Sequence, residues 1–441
     1  MRWRSMLTLA FAIGCSSSSN PPSPYLSGAA GGGSAGLAFS EIELVVIREE
    51  LGSLPERPPS DPGNQFSDNA DAAALGQAFF FEPSYSPRGD LSCATCHDPK
   101  TGFQDNRANT SQGIDFSTRQ APSLMNAAYG ADIPGATVWQ FWDGRKDSQW
   151  SQALAPVENP AEMGSSRTKV ALLIYDKYRA DFEAIFGPLP ALRDADGRAL
   201  APETARPGTS EWDALSDVVK SQITQVYVEF GKALAAYESK LVSRRSRYDL
   251  FCDDLAAGAN DSAQLSADEQ AGLRLFIGKA RCVSCHLGPN LSDWKFHVTG
   301  VMQTGSHVPI ADAGREAGIP EVKVDEFNCS SPWSDRSDKS NCAVKALTAD
   351  SSALGAFKTP SLRSVSTSAP YFHTGALGTL SEVVDFYDRG GDASGFAGTL
   401  DPNVTALDLS DSEKQQLLDF LNALDGQALD AALVTPPSLP P

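Results

Sequence analysis

The sequence predicts a mainly α-helical protein in which two similar units are joined by long loops. The motif Cys-x-x-Cys-His occurs once in each half of the chain, and a helical pattern leads into each copy. No series of alternating strands is found in the sequence. The motif residues are Cys93, Cys96 and His97 in the first copy and Cys282, Cys285 and His286 in the second. This internal repeat indicates one module used twice.

Four helices are predicted from periodicity and from capping signals. They cover residues 72–81, 217–248, 269–277 and 411–424. The first and third run into the two motifs. Ser266 is expected at the N-terminus of the third helix, and Ser410 is expected to cap the fourth. Further helical periodicity begins near residue 41.

The motif spacing has a chemical explanation. Residues at i, i+3 and i+4 share one face of a helical turn, so two thiols can bond the vinyl groups of a haem while the imidazole ligates its iron. A zinc site is the alternative, but each zinc would need further ligands, and the chain has only 5 histidines. We therefore expect two covalently bound c-type haems. The predicted fold class is mainly α, with two cytochrome c-like haem domains and long loops.

The N-terminus is predicted to be a targeting segment, residues 1–15. Arg2 and Arg4 precede a short apolar run that is too short to span a bilayer. Ala12-Ile13-Gly14-Cys15 then resembles a bacterial lipoprotein cleavage site, with Cys15 as the lipidated residue. Ordinary secretory cleavage is the alternative. Both predict a periplasmic protein, and the first predicts one tethered to a membrane.

The rest of the chain divides into three predicted parts. Residues 16–40 are a flexible tether rich in Ser, Gly and Pro. An N-terminal haem domain is expected over 41–250, and a C-terminal haem domain over 251–441. Within the second domain, the polar stretch 303–356 indicates a long insertion.

Charge and cysteine content restrict the partners and the compartment. A net charge of −19 argues against nucleic acid or an anionic membrane as partner, and it suits a basic electron donor. Cys329 and Cys342 flank a polar loop, so a disulfide between them is plausible in an oxidising compartment. Cys252 is left over, and the sequence gives it no role.

The histidine inventory bears on the sixth coordination position of each iron. A filled sixth position favours electron transfer, and an open one favours reaction with a small oxidant. No histidine lies between His97 and His286, and Met125 and Met163 are the only nearby thioethers, so we expect an open position on the first haem. Five residues are candidates for the second haem, and spacing alone does not choose among them: His297, Met302, His307, His373 and Tyr387.

Five segments carry a family resemblance. They read LSCATCHDPKTGF, APSLMNAAYG, QFWDGRKDSQWSQALAPVENPAEMG, FKTPSLRSV and APYFHTGALGTLSEVVDFYDRGG. In this order they resemble the bacterial dihaem cytochrome c peroxidase and MauG superfamily, over roughly residues 65–425. The resemblance implies that the first haem, in the N-terminal domain, reacts with peroxide. The second haem would then transfer electrons.

The resemblance also implies roles for residues near the first haem. Gln152, Pro156 and Glu162 are expected to line the peroxide pocket. Glu162 would act as general acid and base during O–O cleavage, and Gln152 would position the oxidant by hydrogen bonding. Pro156 would keep the pocket narrow. The alternative is that Glu162 caps a helix while Gln152 faces solvent.

The inter-haem region and the second haem complete the predicted site. Trp142 is expected between the haems, where it can relay electrons, and Arg145 beside it could pair with a propionate. Tyr387 stands where typical members have a methionine ligand and MauG has tyrosine, so it is the expected sixth ligand of the second haem. The family also holds a calcium ion, for which the matching positions are Ser368, Pro370 and Gln120.

Two departures from the family pattern qualify the resemblance. Gly113 replaces a distal histidine that some members carry on a mobile loop, so no reductive activation is expected. Ala280 replaces a surface tryptophan of MauG, so a route for electron holes to a protein substrate is not supported there.

The sequence leads to one main functional hypothesis and two alternatives. The main hypothesis is a peroxidase that reduces hydrogen peroxide with electrons from a small cytochrome c or cupredoxin. The first alternative is a MauG-like oxidase that modifies Trp or Tyr side chains of a partner protein. The second is a dihaem electron carrier with two low-spin haems. By analogy with relatives, a homodimer is also expected.

Overall fold

The computed structural model describes residues 39–107, 110–131 and 139–440. The predicted signal segment 1–15 and residues 16–38 of the predicted tether lie outside the described residues. Fourteen α-helices are found in the described part. They are α1 Glu41–Val45, α2 Ala70–Phe81, α3 Cys93–Cys96, α4 Gln149–Glu158, α5 Arg167–Lys177, α6 Arg179–Phe186, α7 Ser210–Asp213, α8 Asp217–Glu238, α9 Arg247–Ala256, α10 Ala267–Ile277, α11 Arg315–Val324, α12 Leu380–Asp388, α13 Asp411–Asn422 and α14 Ala431–Val434.

Short elements join these helices. A π-helical segment, Val46–Leu51, continues α1. The strands β1 Phe296–His297 and β2 Phe357–Lys358 pair antiparallel, with Phe296 opposite Lys358. The described structure is therefore mainly helical, as the sequence predicts.

Capping explains where the predicted helices begin. Ser266 and Glu269 form a capping box at the N-terminus of α10, and Ser410 and Glu413 form one at α13. The helix predicted over 217–248 is wrong at its C-terminal end, because α8 stops at Glu238.

The chain after α8 is held by hydrogen bonds to Asn126, a residue that is distant in sequence. The side-chain Nδ2 of Asn126 donates to the carbonyl oxygen of Ser243 at 2.8 Å, and the backbone N–H of Ser243 donates to Asn126 Oδ1 at 2.9 Å. Arg245 adopts a positive φ of 58°, and Ser246 then caps α9. These contacts break the predicted long helix into α8 and α9.

Two hydrophobic clusters form the core. The first gathers α2, α4, α5 and α8, and the second gathers α9, α10 and α13 with residues 39–51 from the start of the described chain. The boundary predicted at residue 250 stays a prediction, although residues 39–51 pack with the second cluster.

A glycine allows one close helix crossing in each cluster. A Cβ on Gly76 of α2 would lie 1.9 Å from the carbonyl oxygen of Ala233 in α8. A Cβ on Gly272 of α10 would lie 2.0 Å from the carbonyl oxygen of Gln416 in α13. Only glycine permits backbones to approach this closely. Each helix that leads into a Cys-x-x-Cys-His motif is thus seated in the same way.

The stretch 303–356 is structured and packs on the N-terminal part of the chain. It contains α11 and the predicted disulfide between Cys329 and Cys342, which is confirmed. Phe327 joins the first hydrophobic cluster. Ion pairs fasten the stretch to that part of the chain: Arg119–Asp312, Lys146–Asp325, Arg167–Glu326 and Lys232–Asp335.

Candidate functional site: two haem-attachment motifs and the region between them

The two motif histidines are held in the same way. The Nδ1 atom of His97 lies 3.0 Å from the carbonyl oxygen of Phe103, and that of His286 lies 2.8 Å from the carbonyl oxygen of Leu291. This leaves Nε2 of each ring for an iron atom. Burial lowers the pKa of both imidazoles, which favours the neutral form that ligates metal.

Both carbonyl groups come from strained residues. Phe103 has a φ of 57° and Leu291 a φ of 51°, in the left-handed region that side chains other than glycine rarely adopt. Such a conformation costs of the order of 1–3 kcal/mol and is kept where function requires it. Sequence reasoning missed these residues, although each lies five or six positions after its histidine.

The four motif cysteines are free thiols in the structure, as haem attachment requires. The Sγ atom of Cys93 lies 3.3 Å from the Tyr85 hydroxyl. Burial raises the pKa of the Cys93 thiol to about 12. The donor sets of both motifs therefore fit covalently bound haem.

Glu162 lies near the first motif, in the loop between α4 and α5. Burial raises the pKa of the Cys96 thiol to about 11, and the negative charges of Asp105 and Glu162 add to this rise. The Asn159 amide donates to Glu162 Oε1 at 2.6 Å. The alternative that Glu162 caps a helix is wrong, because α4 ends with Asn159 as its C-cap and Ser166 caps α5.

The protonation of Glu162 suits an acid and base. Burial raises its pKa, while the charge of Arg145 and the hydrogen bond from Asn159 lower it, and the outcome is a pKa above the ordinary glutamate value. A carboxyl group with a raised pKa exchanges protons more readily near neutral pH.

Gln152 and Pro156 lie one turn apart on α4, so they share one face of the helix. Both side chains are half-buried, which argues against a Gln152 fully exposed to solvent. The carbonyl oxygen of Pro156 accepts from the N–H of Met163 at 3.1 Å. This contact ties the end of α4 to the loop that carries Glu162.

Gly113 lies directly against this loop. The N–H of Ile114 donates to the carbonyl oxygen of Glu162 at 2.8 Å, and the N–H of Asp115 donates to that of Ala161 at 2.9 Å. A Cβ at Gly113 would lie 2.2 Å from the Glu162 carbonyl oxygen. No side chain, and hence no histidine ligand, fits at position 113 in this conformation.

A large, mainly apolar cavity of about 270 Å³ adjoins the second motif. His286 and Tyr387 both line it, as do Trp142 and Gln120 from the N-terminal part of the chain. Burial and the nearby Cys285 and Cys282 thiols raise the pKa of the Tyr387 phenol. The structure thus brings the expected sixth ligand and the second motif to one cavity.

Two of the other candidate ligands for the second haem have ring nitrogens engaged in hydrogen bonds. His297 Nδ1 lies 2.6 Å from Asp401 and its Nε2 lies 2.9 Å from Asp293. Although burial lowers the pKa of His297, these two hydrogen bonds raise it to about 12, so the ring is a cation. His373 accepts at Nε2 from the Gln303 amide at 2.8 Å.

The remaining two candidates are held elsewhere. The Met302 side chain is 40% exposed and packs against Gly395. His307 stacks on Phe116 with ring centroids 3.6 Å apart. Neither residue lines the cavity beside His286. The geometry therefore favours Tyr387 among the five candidates.

Trp142 lines the cavity beside the second motif. Its indole Nε1 donates to the carbonyl oxygen of Gln120 at 2.8 Å, and its ring lies edge-on to His373 at 6.4 Å. The Gln120 N–H in turn donates to the carbonyl oxygen of His373 at 2.8 Å. These contacts join segments from both halves of the chain.

The expected calcium positions meet at the same cavity. Gln120, Ser368 and Pro370 all line it. The Gln120 side chain donates through Nε2 to the carbonyl of Asp105, while its Oε1 is buried without a hydrogen-bond partner. A buried, unpaired carbonyl-type oxygen is a suitable calcium ligand.

Arg145 is engaged within its own turn. Its guanidinium pairs with Asp143 at 2.9 Å and stacks on Phe141 at 3.6 Å. A cation that the sequence did not single out is Lys358, which lines the cavity and donates to the carbonyl oxygen of Trp139 at 2.9 Å. Burial lowers the pKa of Lys358 to about 8, and a nearby anion such as a haem propionate would raise that pKa again.

Residues 70–256 match the protein family described as di-haem cytochrome c peroxidase. The chain is 30% identical to cytochrome-c peroxidase IdrP1 of Denitromonas iodatirespirans, over 85% of this chain and 86% of that protein. The chain belongs to the di-haem cytochrome c peroxidase and MauG family. It is a di-haem oxidoreductase with two c-type haems.

Further members of the family agree with this assignment. The chain is 29% identical to methylamine utilization protein MauG of Methylorubrum extorquens, over 91% of this chain and 90% of that protein. Among solved structures, a MauG-like protein associated with microbial copper homeostasis superposes with a TM-score of 0.59 at 25% identity, covering 87% of this chain and 98% of that one.

A second solved structure supports the fold alone. The diheme peroxidase BthA of Burkholderia thailandensis has a TM-score of 0.58 at 22% identity, over 88% of this chain and 98% of that one. Within the described residues, none of the helices combines the length and apolar character needed for a membrane span.

Proposed function

We propose that this protein reduces hydrogen peroxide to water at the haem held by Cys93, Cys96 and His97. The observation that carries the proposal is the difference between the two motifs. Near the first lies a loop with a half-buried Glu162, whose pKa is raised by burial, and this loop packs against Gly113, where no side chain fits. The second shares its cavity with Tyr387.

The bound haem supplies an iron atom that accepts peroxide and exchanges electrons. Glu162 takes a proton from the near oxygen of peroxide and returns it to the far oxygen, which leaves as water. Gln152 donates a hydrogen bond that orients the oxidant. Pro156 has no N–H to compete for it, and it limits the space on the same face of α4. Two protons and two electrons complete the conversion of peroxide to two waters.

Electrons enter at the second haem in this proposal and cross through Trp142. The donor is a small cytochrome c or cupredoxin, and the charge of −19 favours a basic one. Tyr387 would ligate the second iron, and Lys358 would pair with a propionate. As an anionic ligand, a phenolate lowers the reduction potential relative to methionine.

A calcium ion between the haems is part of the proposal. Gln120 Oε1 and the carbonyl oxygens of Ser368 and Pro370 would hold it, with water completing the shell. The unpaired Gln120 oxygen supports this assignment. The ion would fix the segment that connects Trp142 to the second haem.

The location and assembly are proposed on the sequence. A periplasmic protein, tethered to a membrane through Cys15 or released by ordinary cleavage, suits the targeting pattern. The disulfide between Cys329 and Cys342 suits an oxidising compartment. A homodimer is proposed by analogy with relatives.

The direct test is peroxide turnover by a Glu162→Gln variant. The amide cannot shuttle a proton, so we expect the rate of peroxide reduction to fall by about 10²–10⁴-fold. Glu229→Gln is the matched control, because Glu229 is also half-buried, has a pKa raised by burial to about 7 and accepts from an amide, Gln225. Equal rates in wild type and Glu162→Gln would contradict the proposal.

A second function is supported by one feature, the tyrosine at position 387. MauG of Methylorubrum extorquens is among the relatives, so oxidation of Trp or Tyr side chains in a partner protein is the alternative. It requires a two-electron oxidised state that persists with peroxide and no electron donor. Stopped-flow spectra with and without reduced cytochrome c separate the two, because a peroxidase returns rapidly to the resting state only when the donor is present.

A further inference from the structure

A row of buried aromatic rings begins at the first haem motif. The Tyr85 hydroxyl lies 3.3 Å from Cys93 Sγ, the atom that bonds the haem. The ring centroids of Tyr85 and Phe230 are 5.4 Å apart. Those of Phe230 and Phe79 are 5.1 Å apart, and those of Phe79 and Tyr178 are 5.2 Å apart. All four rings are at most 2% exposed. The row therefore links the haem attachment point to Tyr178 through protein that excludes water.

The far end of the row has a proton acceptor. The Tyr178 hydroxyl donates to Glu82 Oε2 at 2.6 Å, and the Ser84 N–H donates to Glu82 Oε1 at 2.8 Å. Burial raises the pKa of Glu82, but these hydrogen bonds and the charge of Lys177 hold it below the ordinary value. Glu82 is thus a carboxylate that receives the phenol proton over a short, charge-assisted hydrogen bond.

Other buried tyrosines in the same cluster have no such acceptor. Tyr227 donates to the backbone carbonyl of Leu154 at 2.5 Å, and Tyr237 donates to that of Leu433 at 2.6 Å. The Tyr85 hydroxyl lies 3.3 Å from the carbonyl oxygen of Phe79. A backbone carbonyl is a far weaker base than a carboxylate. Oxidation of these tyrosines therefore gives no stable deprotonated product.

We propose that Tyr178 and Glu82 form a redox site that takes oxidising equivalents from the first haem by way of Tyr85. Tyr178 loses one electron, which reduces the peroxide-oxidised haem by one equivalent. Its O–H bond breaks, and the proton passes to Glu82, which becomes a neutral carboxylic acid. The external electron donor later returns the electron, and Glu82 returns the proton. Hydrogen peroxide is the oxidant, so this inference rests on the proposed function.

The chemical consequence concerns the enzyme without its donor. An oxidised haem that receives no electron attacks its own surroundings. A tyrosine that is oxidised reversibly, in a pocket closed to solvent, holds that equivalent until a donor arrives. Tyr85 is the intermediate step, since it contacts the haem-bonding sulfur but has no carboxylate.

The test is a rapid-freeze EPR measurement on the haem-loaded protein mixed with peroxide in the absence of a donor. We expect a tyrosyl radical in wild type. Tyr178→Phe should remove it, and Glu82→Gln should lower its yield by at least about tenfold because the proton acceptor is lost. Tyr227→Phe is the matched control, a buried tyrosine in the same cluster, and should keep the wild-type signal.

Absorbance of the haem in the same samples separates the two proposals. If peroxide changes the haem spectrum of wild type but no tyrosyl radical forms, or if the radical persists in Tyr178→Phe, the redox site is wrong and the peroxidase proposal stands. If peroxide leaves the haem spectrum unchanged, both are wrong. If Glu82→Gln forms the tyrosyl radical at the wild-type yield, the role of the carboxylate as proton acceptor is wrong.

Discussion

The two haem motifs are alike in how their histidines are held and differ in the segments that lie near them. Phe103 and Leu291, both at positive φ, place a carbonyl oxygen at Nδ1 of the respective histidine. Gly76 and Gly272 seat the two helices that lead into the motifs. Near Cys96 of the first motif, the chain presents a polar loop with Glu162. At the second, it presents a cavity lined by Tyr387.

In the proposed function, the motif attaches the cofactor while the segment that lies near it decides the chemistry. The motif and the helix before it are local features, repeated with little change. The segments near the motifs come from distant stretches, α4 and its following loop in one case and α12 in the other. Variation in these segments can change reactivity without disturbing haem attachment.

Tyr387→Phe is expected to have the largest effect, a change in the coordination of the second haem. Phenylalanine cannot ligate iron, so the second haem should change its absorption spectrum to that of a five-coordinate haem. The reaction of peroxide with the first haem should keep its rate, because Tyr387 lines the cavity beside the second motif. Tyr371→Phe is the control, since Tyr371 lines the same cavity and donates to the carbonyl oxygen of Val365 at 3.0 Å. An unchanged second haem in Tyr387→Phe would remove the basis of the comparison.

A smaller effect is expected from Gly113→Ala. The added methyl would lie 2.2 Å from the Glu162 carbonyl oxygen, so the loop must move and the protein should lose about 1–3 kcal/mol of unfolding free energy. Peroxide turnover should fall as Glu162 is displaced. Gly378→Ala provides the control, because its nearest contact is an ordinary 3.6 Å to the Glu382 side chain. Thermal unfolding and turnover measured together check both parts, and full turnover in Gly113→Ala would show that the position of this loop is unimportant.

The smallest functional effect is expected from alanine at the two helix crossings. Gly76→Ala and Gly272→Ala each force a methyl against backbone, at 1.9 Å and 2.0 Å, and each should cost about 1–3 kcal/mol. Denaturant unfolding measures this cost. Because the two crossings are built alike, similar costs are expected. A large cost at one and none at the other would show that the two modules are not equivalent in packing.

Local features were predictable from the sequence. The motifs, the helix starts at Ser266 and Ser410 and the disulfide between Cys329 and Cys342 all depend on neighbouring residues. The end of α8 was missed because Asn126, more than a hundred residues earlier, holds the chain at Ser243. Periodicity cannot detect a hydrogen bond of that range.

The site was only partly accessible to sequence reasoning. Gln152, Pro156 and Glu162 came from the family resemblance, since no local pattern distinguishes them from ordinary surface residues. The contacts of the stretch 303–356 and the positive φ of Phe103 and Leu291 had no recognised signal. The pair Tyr178 and Glu82 is separated by almost a hundred positions, so its hydrogen bond depends on the fold.

The most direct test of the central difference is the low-temperature EPR spectrum of the resting, haem-loaded ferric protein. The proposed function predicts a high-spin signal from the first haem, whose sixth position is expected to be open, together with a six-coordinate second haem. The high-spin signal should survive unchanged in Tyr371→Phe. Two low-spin haems and no high-spin signal in the resting protein would contradict the account.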